Sequence, residues 1–277
     1  MNGSADRQRR VRLLPALAVT LSLVVIAVVV ASAVGSSPPD RATAAATPER
    51  SAAGAVPDPV APAFAPPRPR PLASQRGVAW YSPVRRDALA RAAPDPAATA
   101  VAPLSTQTPE GTRNIVLVLG RAKGADAALW IRVRLAGLSR TTGWVRRRAL
   151  GGYVAVHTRL VVDLDRLTAT LYRDGRPIFR APVGVGRPEW PTPRGRFYIR
   201  NKLTRFANPF YGPLAFGTSA RSSVLTDWPA GGFVGTHGTN RPDLLPGLVS
   251  HGCVRLRNED VLALGRLMPV GTPLTVR

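Results

Sequence analysis

Residues 13–34 contain no charged side chain, and this one run limits how much of the 277-residue chain is free to build a globular core. At a helical rise of about 1.5 Å per residue, a run of that length matches the roughly 30 Å apolar layer of a bilayer. The sequence therefore predicts a transmembrane helix, a signal anchor, over residues 13–34. Arg7, Arg9, Arg10 and Arg12 stand immediately before it. Basic flanks stay on the cytoplasmic side, so residues 1–12 are expected as a cytoplasmic tail and everything after residue 34 outside. The expected location is the cell membrane, crossed once, with the bulk of the chain extracytoplasmic. The alternative is a protein secreted after signal cleavage, because Ala31-Ser32-Ala33 has the small residues of a cleavage site.

Residues 35–75 alternate Ala, Pro, Ser and Arg with few large apolar side chains. Such a segment buries too little surface to offset its ordering entropy, and its prolines favour extended conformations, so it is read as a linker. What remains divides into two β regions. Residues 76–152 are expected to form a small β domain from Val78-Ala79-Trp80-Tyr81, Ile115-Val116-Leu117-Val118-Leu119, Trp130-Ile131-Arg132-Val133-Arg134-Leu135 and Thr142-Gly143-Trp144-Val145.

In residues 153–277, Leu160-Val161-Val162-Asp163-Leu164 and Leu167-Thr168-Ala169-Thr170-Leu171-Tyr172 read as strands. Asp174-Gly175 predicts a type I′ hairpin turn into a returning strand, Pro177-Ile178-Phe179-Arg180-Ala181-Pro182-Val183-Gly184-Val185. One helix is expected near the end, with Asn258 as its cap and Glu259 and Asp260 in its first turn. Val261, Leu262, Leu264 and Met268 would form its apolar face before Pro269 ends it, and Leu274-Thr275-Val276 would be the last strand. The predicted fold class is mainly β: an antiparallel sandwich or barrel-like C-terminal domain with one helix, preceded by the small β module, the linker and the transmembrane helix.

The formal charge of +22 comes almost wholly from arginine, only Lys123 and Lys202 being lysine, and the arginines are scattered. Nucleic-acid readers cluster their cations, so no nucleic-acid partner is expected. A diffuse positive field instead favours wall polymers and lipid headgroups. Oligomeric state leaves no signal in the sequence. The single cysteine, Cys253, cannot close an internal disulfide. It is a buried small hydrophobe, an intermolecular bridge or a reactive thiol, and its neighbours decide which.

Those neighbours are Gly235-Thr236-His237-Gly238-Thr239-Asn240 and, after a loop, Ser250-His251-Gly252-Cys253-Val254-Arg255-Leu256. A thiol ionises near pH 8.5, so a nucleophilic cysteine needs help from an imidazole or from amides. His251 shares a face with Cys253 in an extended segment, but within tight limits. His237 lies across a loop containing Pro242 and Gly247, a separation at which two neighbouring strands meet, and is the better base. Gly238 and Gly252 let the backbone approach a reacting carbonyl and aim amides at an oxyanion. A rival is a zinc-dependent peptidase using His237, His251 and Cys253; another is a non-catalytic wall-binding protein.

Ser250-His251-Gly252-Cys253 followed by Val254-Arg255, with His237-Gly238-Thr239 upstream, resembles the signature of the L,D-transpeptidase catalytic domain family (YkuD-type) over about residues 153–277. Phe210-Tyr211-Gly212-Pro213, Gly231-Gly232 and Gly271-Thr272-Pro273-Leu274-Thr275-Val276 fall where that domain carries similar stretches. Thr236 departs from it, the family more often having an aliphatic residue there. Trp130, the following Arg-Val-Arg-Leu and Gly143-Trp144-Val145 resemble a bacterial SH3-like module.

The resemblance implies peptidoglycan stem peptides as partners, a donor tetrapeptide and an acceptor amine. Cys253 would attack the carbonyl between the diamino acid and D-alanine, D-alanine would leave, and the thioester would pass to the acceptor amine or to water. His237 would be the base, its imidazole oriented by the Gly238 carbonyl, and the Gly252 and Cys253 amides would face the oxyanion. His251, Ser250 and Arg255 would position substrate. No cofactor and no metal are implied, and a carbapenem would be opened by the thiol.

Overall fold

Some of the described strands alternate inward apolar with outward charged side chains. In Leu129–Arg134, Ile131 and Val133 are buried while Arg132 between them is exposed, as a strand with one face on a core requires. The computed structural model describes residues 77–137, 141–204, 208–225 and 232–277. The expected cytoplasmic tail, transmembrane helix and linker lie outside the described residues, as does Gly231. Among the described residues no helix is long and apolar enough to cross a membrane.

The first sheet has seven strands: β1 (Ala79–Pro83), β2 (Ala88–Arg91), β3 (Ala100–Leu104), β4 (Ile115–Lys123), β5 (Leu129–Arg134), β6 (Thr142–Arg146) and β7 (Val154–Val156). They lie in the order β3-β2-β6-β5-β4-β1-β7, every pair antiparallel. Val116, Ile131, Val133 and Val145 fill its core. Trp130 and Trp144 are buried beside Ala122 in a separate cluster, and Trp130 Nε1 donates to Asp126 Oδ1 at 3.1 Å.

The second sheet has ten: β8 (Thr158–Asp163), β9 (Thr168–Arg173), β10 (Arg176–Pro182), β11 (Gly184–Gly186), β12 (Gly195–Leu203), β13 (Ala215–Arg221), β14 (Phe233–His237), β15 (Gly247–Ser250), β16 (Val254–Arg255) and β17 (Pro273–Val276). Their order is β10-β9-β8-β17-β12-β13-β14-β16-β11-β15. The hairpin joining β9 to β10 turns at Asp174 and Gly175, both at positive φ (49° and 84°), as a type I′ turn demands.

Among the described residues the chain is mainly β with one α-helix, as expected for the two β regions, but the second sheet is mixed rather than antiparallel. β8 with β17, β14 with β16, and β11 with β15 pair in parallel. Alternation marks a strand without fixing its partner's direction. Here the chain leaves β14, runs through β15, and returns beside β14 as β16. The sheet curls on itself: Leu160, Leu171, Phe216, Leu256 and Val276, from both ends of the strand order, share one apolar cluster. Each such side chain contributes about 1.5–3 kcal/mol on burial.

The helix, α1 (Asn258–Leu267), presents Val261 and Leu264 to that cluster, with Met268 just beyond its end. Glu259 and Asp260 stand in its first turn. Two expectations fail here. The capping position belongs to Arg257, and Asn258 is already helical, its Oδ1 accepting the Thr239 amide at 2.9 Å instead. Leu262 is exposed, about one-quarter turn away from the buried stripe.

Candidate active site

Parallel pairing of β14 with β16 sets Thr236 opposite Val254 and His237 opposite Arg255. Gly235 therefore stands opposite Cys253, and because side chains alternate, Gly235, His237, Cys253 and Arg255 share one face. The missing side chain of Gly235 leaves the space between the two chemical groups. A Cβ there would lie 3.9 Å from His237 Cδ2 and 4.0 Å from Cys253 Sγ. The Gly235 amide donates to Cys253 Sγ at 3.3 Å.

His237 is buried, and its Nδ1 lies 2.6 Å from the Gly238 carbonyl oxygen. A carbonyl only accepts, so Nδ1 carries the proton and Nε2 keeps its lone pair. Nε2 is buried and, among the described residues, has no hydrogen-bond partner, an expensive state for a polar atom unless it serves a reaction. Burial pushes the imidazole down to about 4, the Arg255 cation adding to the effect and the Gly238 bond opposing it. Burial also raises the Cys253 thiol above its ordinary value, while the Gly235 amide and Arg255 pull it back. Both shifts favour the uncharged forms.

Glycine at 238 answers to space as well as to motif. A Cβ there would collide with Asn258 Oδ1 and lie 3.1 Å from Gly212 Cα. This contact brings the Phe210-Tyr211 stretch over the imidazole, with ring centroids 5.8 and 5.0 Å from His237. The Arg255 guanidinium lies 4.3 Å over the Phe210 ring. Arg255 is buried, has no carboxylate partner among the described residues, and leaves its Nε without a hydrogen bond.

Ser250 and Gly252 do not face the space over the sulfur in the manner expected. Ser250 Oγ accepts the Gly252 amide at 3.1 Å and donates to the Cys253 carbonyl at 2.6 Å. The serine thus clamps the turn that presents the thiol, and the Gly252 amide is already engaged. Gly252 has φ of +108°, a left-handed conformation that favours glycine. His251 is exposed, packs tilted against Trp190 at 4.3 Å between centroids, and with Tyr211 and Phe233 lines a cavity of about 30 Å³ beside Cys253.

Thr192 escaped the sequence reading. Its buried Oγ1 donates to the Gly252 carbonyl at 2.9 Å and accepts the Gly186 amide at 2.8 Å, tying the cysteine turn to β11. Its only sequence signal is the pair of flanking prolines, Pro191 and Pro193. Among the described residues no three His, Cys, Asp or Glu side chains are grouped to hold a metal ion, so His237, His251 and Cys253 do not make a zinc ligand set.

A family model, YkuD, the L,D-transpeptidase catalytic domain, matches residues 157–276. The YqjB protein of Bacillus subtilis, whose name assigns it to the L,D-transpeptidases, is 30% identical over 135 residues, covering 45% of this chain and 70% of that protein. The chain belongs to the L,D-transpeptidase family. The similarly named YkuD protein of Bacillus licheniformis is 34% identical over 118 residues, covering 43% of this chain. The chain spans 64% of the length of that relative. Among solved L,D-transpeptidases, the catalytic domain from Enterococcus faecium is 24% identical, covering 43% of this chain and 96% of its own, with a TM-score of 0.33. Cys253, His237, Gly238, Gly252 and Arg255 all fall inside the matched L,D-transpeptidase region.

Proposed function

We propose that this chain is a peptidoglycan L,D-transpeptidase that forms 3-3 cross-links through a thioester on Cys253. The observation that carries the reading is the pairing of Cys253 Sγ and an unpartnered His237 Nε2 on one face of β14 and β16, flanking the vacancy over Gly235. Burial disfavours a resting thiolate–imidazolium pair, so proton transfer accompanies attack. Nε2 takes the thiol proton as sulfur adds to the carbonyl between the diamino acid and D-alanine. The oxyanion is met by the Cys253 amide, since Gly252 donates to Ser250. Collapse expels D-alanine, whose amine receives the proton from His237. An acceptor-stem amine then gives a proton to the same nitrogen and attacks the thioester, forming the new amide and restoring the thiol. Water at this step gives hydrolysis.

Arg255, a buried cation without a carboxylate partner among the described residues, recognises a stem carboxylate in this reading, and His251 guides the peptide at the rim. In this reading catalysis is extracytoplasmic. The test is incubation with disaccharide tetrapeptide, products identified by mass. Cross-linked dimer that has lost one D-alanine is expected. Unchanged substrate with a folded enzyme would overturn the assignment.

A further inference from the structure

The two sheets meet through a polar contact whose partners reach the cysteine. Glu110, in the loop between β3 and β4 of the first sheet, faces β12 of the second. Its Oε1 accepts Arg200 Nη2 at 2.6 Å, and its Oε2 accepts Asn201 Nδ2 at 3.1 Å. Arg200 is fully buried at its side chain, so this carboxylate is what compensates its charge. Thr108 and Thr112 hold the same loop, and Thr112 Oγ1 also accepts Asn201 Nδ2, at 3.0 Å.

From these two residues the contacts converge on β14. The Arg200 guanidinium lies 3.9 Å over the ring of Phe233, its Nε held by the Thr218 carbonyl at 2.9 Å. Phe233 opens β14 and lines the cavity that contains Cys253 and His251. Asn201 Oδ1 accepts the Gly217 amide at 3.0 Å, and a Cβ at Gly217 would collide with that oxygen. Gly217 is paired across the sheet with Gly235, the residue whose amide donates to Cys253 Sγ. One carboxylate of the first sheet thus fixes both the wall of the cavity and the strand that supplies the sulfur's hydrogen bond.

We propose that Glu110 is a positioning residue for Cys253, acting through Arg200 and Phe233 on one side and through Asn201, Gly217 and Gly235 on the other. The first β domain is then part of the catalytic scaffold rather than a separate binding module. The inference rests on Cys253 as the nucleophile of the proposed reaction, but its test needs no turnover. Because Cys253 is the only cysteine, alkylation of the purified full chain by iodoacetamide reports this thiol alone. The charged and titratable groups around it are His237, Arg255, Tyr211 and His251.

Glu110→Gln keeps the side chain's shape but leaves Arg200 uncompensated. It is expected to slow alkylation at pH 8 about tenfold and to move the midpoint of the pH profile upward, as loss of an amide bond to a thiolate requires. Tyr198→Phe removes a different bond across the same contact, from Tyr198 Oη to the Ile115 carbonyl at 3.0 Å. It is expected to stay within about twofold of wild type with the midpoint unmoved. If Glu110→Gln does not fold, Glu110→Asp makes the same test, retaining the charge but withdrawing it by one methylene. A folded Glu110 variant with wild-type rate and midpoint overturns the proposal, and so does an equal loss in Tyr198→Phe. A chain inactive on stem peptides but slowed by Glu110→Gln would sink the transpeptidase reading and leave the positioning role standing.

Discussion

His237 shows how one burial serves two ends. Enclosure by Phe210, Tyr211 and the Gly238 carbonyl fixes the tautomer and favours the neutral imidazole, so the proposed base offers a lone pair over the neutral range. The same enclosure has a stability consequence with a definite sign. The folded value of about 4 lies below the ordinary value of 6.5, so the unfolded chain binds the extra proton first. The contribution, roughly 3 kcal/mol, is fully present above pH 6.5 and is lost as pH falls from 6.5 towards 4. Following the His237 ring protons by NMR against pH should give a midpoint near 4. A midpoint near 6.5 would mean that the ring is hydrated.

Helix α1 separates packing from propensity. Leu264 is wholly buried on the curled sheet's core, so Leu264→Ala is expected to cost about 2–5 kcal/mol in denaturant unfolding. Exposed Leu262 is the internal comparison, and Leu262→Ala should change stability by less than about 0.5 kcal/mol. These two leucines read alike in the sequence, because the unbroken apolar run Val261-Leu262-Ala263-Leu264 leaves the position of the buried stripe open. Asp174-Gly175 was legible because its turn is fixed by two backbone angles that few other residue pairs adopt. Asn258 was not: a side chain that can cap a helix can equally accept a distant amide, and Thr239 comes near only after β14 and β16 have paired. Parallel pairing escaped for the same reason, since alternation is a property of one strand and direction a property of two.

Taken whole, the molecule gathers groups from distant parts of the chain around one sulfur. The neighbouring placement of Cys253 and His237 was legible because the proposed chemistry demands a thiol, an imidazole and glycines in a recognisable spacing. Thr192, Phe233, Arg200 and Glu110 carried no such demand; they matter through contacts made when β11, β12, β14 and the first sheet assemble. The pair itself can be tested without a wall substrate by intact-mass measurement after adding a carbapenem to wild type, Cys253→Ala and His237→Ala. Wild type should gain one carbapenem mass, located at Cys253, Cys253→Ala should gain none, and His237→Ala should acylate about 10² to 10⁴ times more slowly. No adduct on folded wild type, or an adduct formed equally fast without His237, would contradict the assignment of sulfur and imidazole as nucleophile and base.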